Sequence, residues 1–498
     1  MIHALLLAVL ALSGPAAGEL QPSTGAPVQD LESLEQQLRD RSQIERRKAV
    51  QGLVELDTPE AWDLVLDALE DTHGQVADEA QLALPGLPVE MWDELFGKRG
   101  LKSKREIVAL RVAEALGRFP RTPEPRELVR ALSTKDAEVR RALLWSFERL
   151  AWRQELSARD GELVDAVREM TRKEKDPRTR AQAVSALGSL DSGAIEQMAI
   201  EFVLAKEPEV RAAVAEMLRY LPLERLAPSY GWTRKDASPL VRMYGHDALA
   251  PRQEKEAMRL LVSGLAEEPS LRLRWRIVRQ LRKASGLKHG LDVRPWRLWA
   301  EDLEDGWRRA DKLPEVEEEQ VTSSFAGLPL YSDRLSFLID FSGSMWVEKD
   351  GKTRKQRVDE ELRSTLERLD DDTRFNLFVV TATVQGWKKQ LTPAKKKDVR
   401  KAIDWFEGRS DRGTGDYWAA MMRAAEDPEV DSLILLGDGA PSGGARWNVE
   451  LIRDLWRHEN RYRGLSVDMI LVEANGRLER LWTELCEASG GRLLEVEL

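Results

Sequence analysis

Three short stretches in the last third of the chain hold the side chains best suited to chemistry. Asp340-Phe341-Ser342-Gly343-Ser344-Met345 sets a carboxylate and two hydroxyls at alternate positions, a D-x-S-x-S arrangement. Thr414 lies in Arg412-Gly413-Thr414-Gly415, and Asp438 lies in Leu436-Gly437-Asp438-Gly439. The groups on offer are all oxygens. The rest of the chain narrows the choice further. Cys486 is the single cysteine, which excludes an internal disulfide and a Cys-based zinc site. The five histidines, at 3, 73, 246, 289 and 458, include no two at metal-ligand spacing. Zinc hydrolysis is therefore close to excluded, and a Ser-His-Asp enzyme has few histidines to use. No general base stands near the oxygen cluster, since Glu348 reads as an exposed loop residue.

The elements around these stretches explain their placement. After Phe325 the pattern alternates strand and helix. Leu335–Asp340, Phe375–Thr381, Ser432–Gly437, Leu465–Val472 and Arg492–Val496 read as strands, with a short edge strand at Val384–Trp387. Val358–Leu369, Lys396–Phe406, Asp416–Ala425, Asn448–His458 and Leu478–Ala488 read as helices, the last with Cys486 on its inner face. Such alternation predicts a mostly parallel, doubly wound sheet with helices on both faces. Ligands in these sheets gather beyond the carboxyl ends of the strands, where Asp340 and Asp438 fall.

Upstream, from about Leu31 to Asp302, nearly everything is amphipathic helix. One pattern recurs: an acidic residue, often Pro, then Arg, then an Ala-rich apolar helix. The clearest copies are Asp136–Leu150, Asp176–Leu190 and Glu207–Leu221, with looser ones at Ser238–Leu249 and Glu268–Leu281. The arginines fall at 140, 180, 211, 242 and 274, in steps of 40, 31, 31 and 32, with weaker copies near Arg46, Ala77 and Arg111. A period of this size with two helices per unit predicts a stacked α-solenoid, each Arg bonding an acid or carbonyl of the neighbouring unit. The array resembles the short HEAT-like repeats, also found in phycobilisome-lyase-type proteins, a likeness that implies architecture and usually a surface for another protein. Trp296, Trp299 and Trp307 are expected to cap its end, and the acidic stretch from Asp311 to Ser324 reads as a linker.

The three oxygen-bearing pieces, in this order and at strand ends, resemble the von Willebrand factor A domain with its metal-ion-dependent adhesion site (MIDAS). The resemblance covers about 165 residues. It implies that Asp340, Ser342, Ser344, Thr414 and Asp438 form the metal shell. Family members more often have Thr before the last Asp, where this chain has Gly437. Five hard oxygens with no N or S ligand select Mg²⁺, or Mn²⁺ or Ca²⁺. An ion so held seeks one more anionic oxygen, an Asp or Glu from a protein partner. Trp346, Arg412, Arg446 and Trp447 are expected to form the partner-binding rim, with Trp447 favoured because it follows the flexible run Ser442–Ala445. Helix-start packing is the alternative for Trp346 and Trp418.

Composition bounds the function. The 498 residues suit two or three domains. The charged fraction is 33%, against roughly 25% in ordinary soluble proteins. Because 76 basic and 86 acidic residues leave a net charge of −10, nucleic-acid binding by phosphate neutralisation is not expected. The apolar run Ala4–Leu12, then Ser13-Gly14-Pro15 and small residues to Gly18, has the order of a secretory signal but is too short to span a bilayer. No later stretch is long enough either. The expected layout is a signal peptide at 1–18, a HEAT-like solenoid at 30–310, a linker at 311–330 and an α/β von Willebrand A domain at 331–498. The combination resembles repeat-plus-adhesion-domain proteins of large-genome Gram-negative bacteria. The expected function is that of an exported, periplasmic or surface protein, not an enzyme, which binds a partner carboxylate through the cation. Its solenoid would be a second binding or scaffold surface. The alternatives are an envelope assembly scaffold with a non-functional metal site, or a lyase-type repeat enzyme. The oligomeric state is not readable.

Overall fold

Acid, proline and arginine set the rhythm of the first three hundred residues. In the computed structural model, which describes residues 30–314, 323–473 and 476–497, eight helices stack as the second members of successive helix pairs. They are α1 (Gln43–Leu56), α2 (Gly74–Ala83), α3 (Glu106–Leu116), α4 (Ala137–Trp152), α5 (Pro177–Leu190), α6 (Pro208–Met217), α7 (Pro239–Leu249) and α8 (Leu271–Ser285). These match the five arginine-marked copies and the three weaker ones. Their starts are chemically defined. Asp136 accepts the N–H groups of Glu138 and Val139, Asp176 that of Thr179, and Ser270 that of Leu273. Pro177, Pro208 and Pro239 occupy first-turn positions where no N–H is missed.

The recurring arginine is a rung between units, as expected. Arg46 holds Asp71 at 2.7 and 2.8 Å, and Arg211 holds Asp236 at the same distances. Arg140 forks onto Glu174, Arg242 onto Glu268, and Arg180 reaches Glu207. Among the described residues Arg274 reaches only a carbonyl, that of Leu291. Several of the same guanidinia also take carbonyls just before their own helix, so each rung ties a helix start to the next unit. At the end of the array Trp296 is fully buried and meets Trp299 edge-on, which meets Trp307 in turn.

The second region is a doubly wound α/β domain. Its sheet is formed by β1 (Arg334–Asp340), β2 (Arg374–Val380), β3 (Gln385–Gly386), β4 (Thr392–Pro393), β5 (Ser432–Gly437), β6 (Ser466–Val472) and β7 (Leu493–Val496), in the order β7-β6-β5-β1-β2-β3, with β4 also on β2. The five long strands run parallel, and the two-residue edge strands are antiparallel. Alternation sorts the residues onto two faces. Leu335, Phe337 and Ile339 meet α9 (Arg354–Glu367) and α10 (Lys396–Glu407). Leu338, Leu433 and Leu435 meet α11 (Tyr417–Ala424), α12 (Val449–Asn460) and α13 (Gly476–Ser489).

α12 is buried on both sides. Ile452 and Trp456 face the sheet, whereas Leu451 and Leu455 pack with Leu82 and Trp145 of the solenoid. The face of the stacked second helices is thus covered by the chain's own sheet domain. Gly464, at φ +70°, passes so close to α7 that a Cβ there would lie 2.8 Å from Leu240. No helix among the described residues is long and apolar enough to cross a membrane. The leader expected at 1–18 lies outside the described residues, as do residues 315–322 of the expected linker.

Candidate functional site

Strand register brings the oxygen-bearing stretches together. Ile339 of β1 pairs with Leu436 of β5, so Asp340 and Gly437 end side by side and Asp438 follows at once. Ser342 forms a parallel bridge to Gly413, which lays the Ser342–Ser344 turn along the loop of Thr414. Asp340 is fully buried. Its Oδ1 accepts the Ser342 N–H at 2.8 Å, and its Oδ2 accepts the hydroxyls of Ser342 at 2.9 Å and Tyr417 at 3.0 Å. Ser342 Oγ lies 3.1 Å from Ser344 Oγ. Asp438 is half-buried and accepts the Ala440 N–H. Thr414 is exposed. Its loop is tied to the next one, because the Gly415 N–H donates to Ser442 Oγ at 2.7 Å and the Ser442 N–H donates to the Gly415 carbonyl.

The electrostatics are one-sided. Burial pushes the Asp340 carboxyl up to about 6, and the charge of Asp438 adds to the effect. Neither carboxylate has an ion pair with Lys or Arg among the described residues. Two such carboxylates, three hydroxyls and no nitrogen or sulfur suit a hard divalent cation. Among the described residues no three His, Cys, Asp or Glu side chains gather at one point. A cation here would therefore depend on Ser342, Ser344 and Thr414 as much as on the carboxylates.

Tyr417 belongs to the site and was not foreseen. Its hydroxyl reaches Asp340 and accepts the Gly439 N–H, and burial followed by the Asp340 charge holds the phenol well above its usual range. Gly437 makes room for it: a Cβ at 437 would lie 2.3 Å from Tyr417 Oη and 2.7 Å from Asp340 Cβ. The departure Gly437 was the available signal. Gly437→Ala is expected to overpack this contact and cost about 1–3 kcal/mol. A denaturation midpoint matching that of the unaltered protein would contradict it.

The four rim residues divide. Trp346 and Arg412 do come together beside the cluster, with the guanidinium 4.3 Å from the ring centroid and the indole edge-on to Phe341. Arg446 and Trp447 do not line a rim, which corrects the expectation. Arg446 is 3% exposed and is held by Glu114 at 2.8 and 2.9 Å and by Gln81 at 2.7 Å, all on the solenoid. The N–H groups of Trp447 and Asn448 donate to Asp78 at 2.6 and 2.8 Å, and Arg47 stacks on the Trp447 ring. The Ser442–Ala445 run is pinned rather than free: Gly444 O accepts the Gly74 N–H at 3.0 Å, and Ala445 O accepts from Arg111 at 2.7 Å. Trp418 packs edge-on against Trp456, as helix-start packing requires. Glu348 is exposed, and Cys486 is an inert core thiol whose ionisation burial pushes far up.

The same interface continues past α12. Arg461 is shared by Glu148 and Glu216, Tyr462 meets Ser185 at 2.9 Å, and Arg141 binds Glu459. Arg272 faces Asp431 at 3.3 Å, and Arg279 donates to the Gly491 carbonyl. The loop that follows Asp438 is consequently held against the solenoid.

No family model matches the chain. Over 145 residues it is 29% identical to inter-alpha-trypsin inhibitor heavy chain H1 of Mesocricetus auratus. That match takes in 27% of this chain and spans 15% of the relative's length. Among solved structures, the complex of CpcE and CpcF of phycocyanin lyase from Nostoc sp. PCC7120 is similar at 14% identity. It covers 57% of this chain and 100% of that one with a TM-score of 0.26, too low to bear on fold or function.

Proposed function

We propose that the C-terminal domain is a von Willebrand factor A-like unit. Asp340, Ser342, Ser344, Thr414 and Asp438 hold Mg²⁺, or Mn²⁺ or Ca²⁺, and through that ion bind an Asp or Glu carboxylate of a protein partner. The observation that carries this reading is the convergence of two carboxylates, without a basic partner among the described residues, with three hydroxyls at the carboxyl ends of adjacent strands. Few anionic ligands and an exposed Thr414 leave the ion a position for one more oxygen. Arg412, spread over Trp346, stands ready to pair with further acids on the partner. The protein works outside the cytoplasm, on the strength of the signal-like first eighteen residues. It is a binding protein rather than an enzyme, a reading supported by the hydroxyls and carboxylates of the cluster, which suit an ion.

Capture of an envelope protein by the purified chain is expected with Mg²⁺ and is expected to vanish in EDTA. Equal capture in EDTA would sink the metal-dependent reading. No heat on titration with Mg²⁺ or Mn²⁺ would leave the assembly scaffold as the better account.

A further inference from the structure

A cavity of about 1020 Å³ lies between the solenoid and the sheet domain, away from the oxygen cluster. It is lined by Trp145, Arg149 and Trp152 of α4 and by Arg457 and His458 of α12, and the Trp145 ring stacks on His458 at 4.7 Å where the two helices meet. The three carboxylates that line it are already committed. Asp454 pairs with Arg118 and Arg453, Asp247 with Arg276, and Glu216 with Arg461 and Arg219. Arg149 and Arg457 line the same space with no carboxylate partner among the described residues.

Arg149 is the more telling of the two. Its guanidinium sits 4.6 Å from the Trp145 ring centroid, and its buried Nη1 finds no hydrogen-bond partner among the described residues. Burial, then the nearby charge of Arg118, lowers its proton affinity to about 10, with Asp454 only partly offsetting them. The fold therefore holds an under-neutralised cation inside a cavity, a costly arrangement unless an anion shares the space. Trp152, 44% exposed, adds an apolar ring to the same wall. A guanidinium fork beside an indole face suits a phosphate or carboxylate attached to an apolar body.

We propose that this interdomain cavity is a binding site for a small organic anion, its phosphate or carboxylate taken by Arg149 and Arg457 and its apolar part by Trp152. Because the two arginines belong to different domains, the bound anion bridges them and strengthens their docking. The site is independent of any cation at Asp340.

The test is thermal unfolding and calorimetry of the full chain with inorganic phosphate, phenyl phosphate and benzoate, at one ionic strength set with chloride. The expected result is a rise in Tm with at least one of the two organic anions, binding at least tenfold tighter than inorganic phosphate. Arg149→Gln should weaken that binding tenfold or more, whereas Arg159→Gln, an exposed residue away from the cavity wall, should leave it unchanged. Preference for phenyl phosphate or for benzoate identifies which headgroup the site takes. Should Arg149→Gln fail to fold, Arg457→Gln, which is exposed on α12, gives the same reading. No binding by either organic anion, binding no tighter than that of inorganic phosphate, or equal losses in the Arg149 and Arg159 variants would overturn the proposal.

Discussion

Replacing Glu114 with Ala is expected to lower the unfolding free energy by roughly 3–5 kcal/mol, the usual consequence of stranding a buried charge. Glu114 is 5% exposed and Arg446 is 3% exposed, and the pair crosses the interface between solenoid and sheet domain. A second guanidinium sharpens the effect: Arg111 is also buried, and its proton affinity is already lowered to about 10 by burial and then by Arg446. With Glu114 gone, Arg111 and Arg446 would share Asp78 and the Gln81 side-chain oxygen, and the Ala445–Asn448 segment would lose one of its anchors, keeping the bonds to Asp78 and Arg111. Guanidinium unfolding should show the loss, and protease cleavage within 439–448 should rise with it. The pair variant Glu114→Leu with Arg446→Met should recover most of the stability, because no charge is then left unpaired. A single variant within about 1 kcal/mol of the parent would show that the interface does not depend on this ion pair.

What the sequence disclosed and what it concealed follow from the range of the interactions. The rungs were legible because an Arg three or four residues after an acid and a Pro recurs at a fixed period, and local rules of helix starts make that pattern nearly self-interpreting. The β1 and β5 ends were legible because the mainly apolar runs Leu335–Ile339 and Leu433–Gly437 stop abruptly at Asp340 and Asp438. The docking of the two domains was not, although its traces are present. Asp78, Glu114, Glu148 and Glu216 interrupt the Ala-rich second helices, and a carboxylate in such a run must find a partner when buried. α12 likewise carries apolar pairs on two faces, Ile452 with Trp456 and Leu451 with Leu455, one more face than a helix packed only on a sheet needs. These partners lie some 245 to 370 residues apart along the chain, and one sequence offers no periodicity that joins them. Trp447 was misplaced for that reason: its glycine-rich approach looks flexible until Gly74 and Asp78 arrive from the other domain to hold it.

Asp340→Asn is expected to act in opposite directions with and without metal. In the proposed site the parent protein gains stability from Mg²⁺, about 2.7 kcal/mol at a hundredfold excess over Kd, and the variant should gain almost none, since the fully buried Asp340 is the first carboxylate of the cluster. Without metal the order reverses. The folded protein holds the Asp340 proton up to about pH 6, above the ordinary carboxylate range. Folded-state proton affinity exceeds that of the unfolded chain, so stability falls as pH rises from about 4 through about 6 and stays lower above it. An Asn side chain carries no charge there. It can still accept the Ser342 N–H, and the hydroxyls of Ser342 and Tyr417 can turn to accept from its amide. In EDTA at pH 8 the variant should therefore melt at or above the temperature of the parent, and at saturating Mg²⁺ clearly below it. The comparison separates the site from a structural carboxylate: a group kept only to satisfy Ser342 and Tyr417 would give the same difference in both buffers, whereas a group kept for a cation costs stability until the cation arrives.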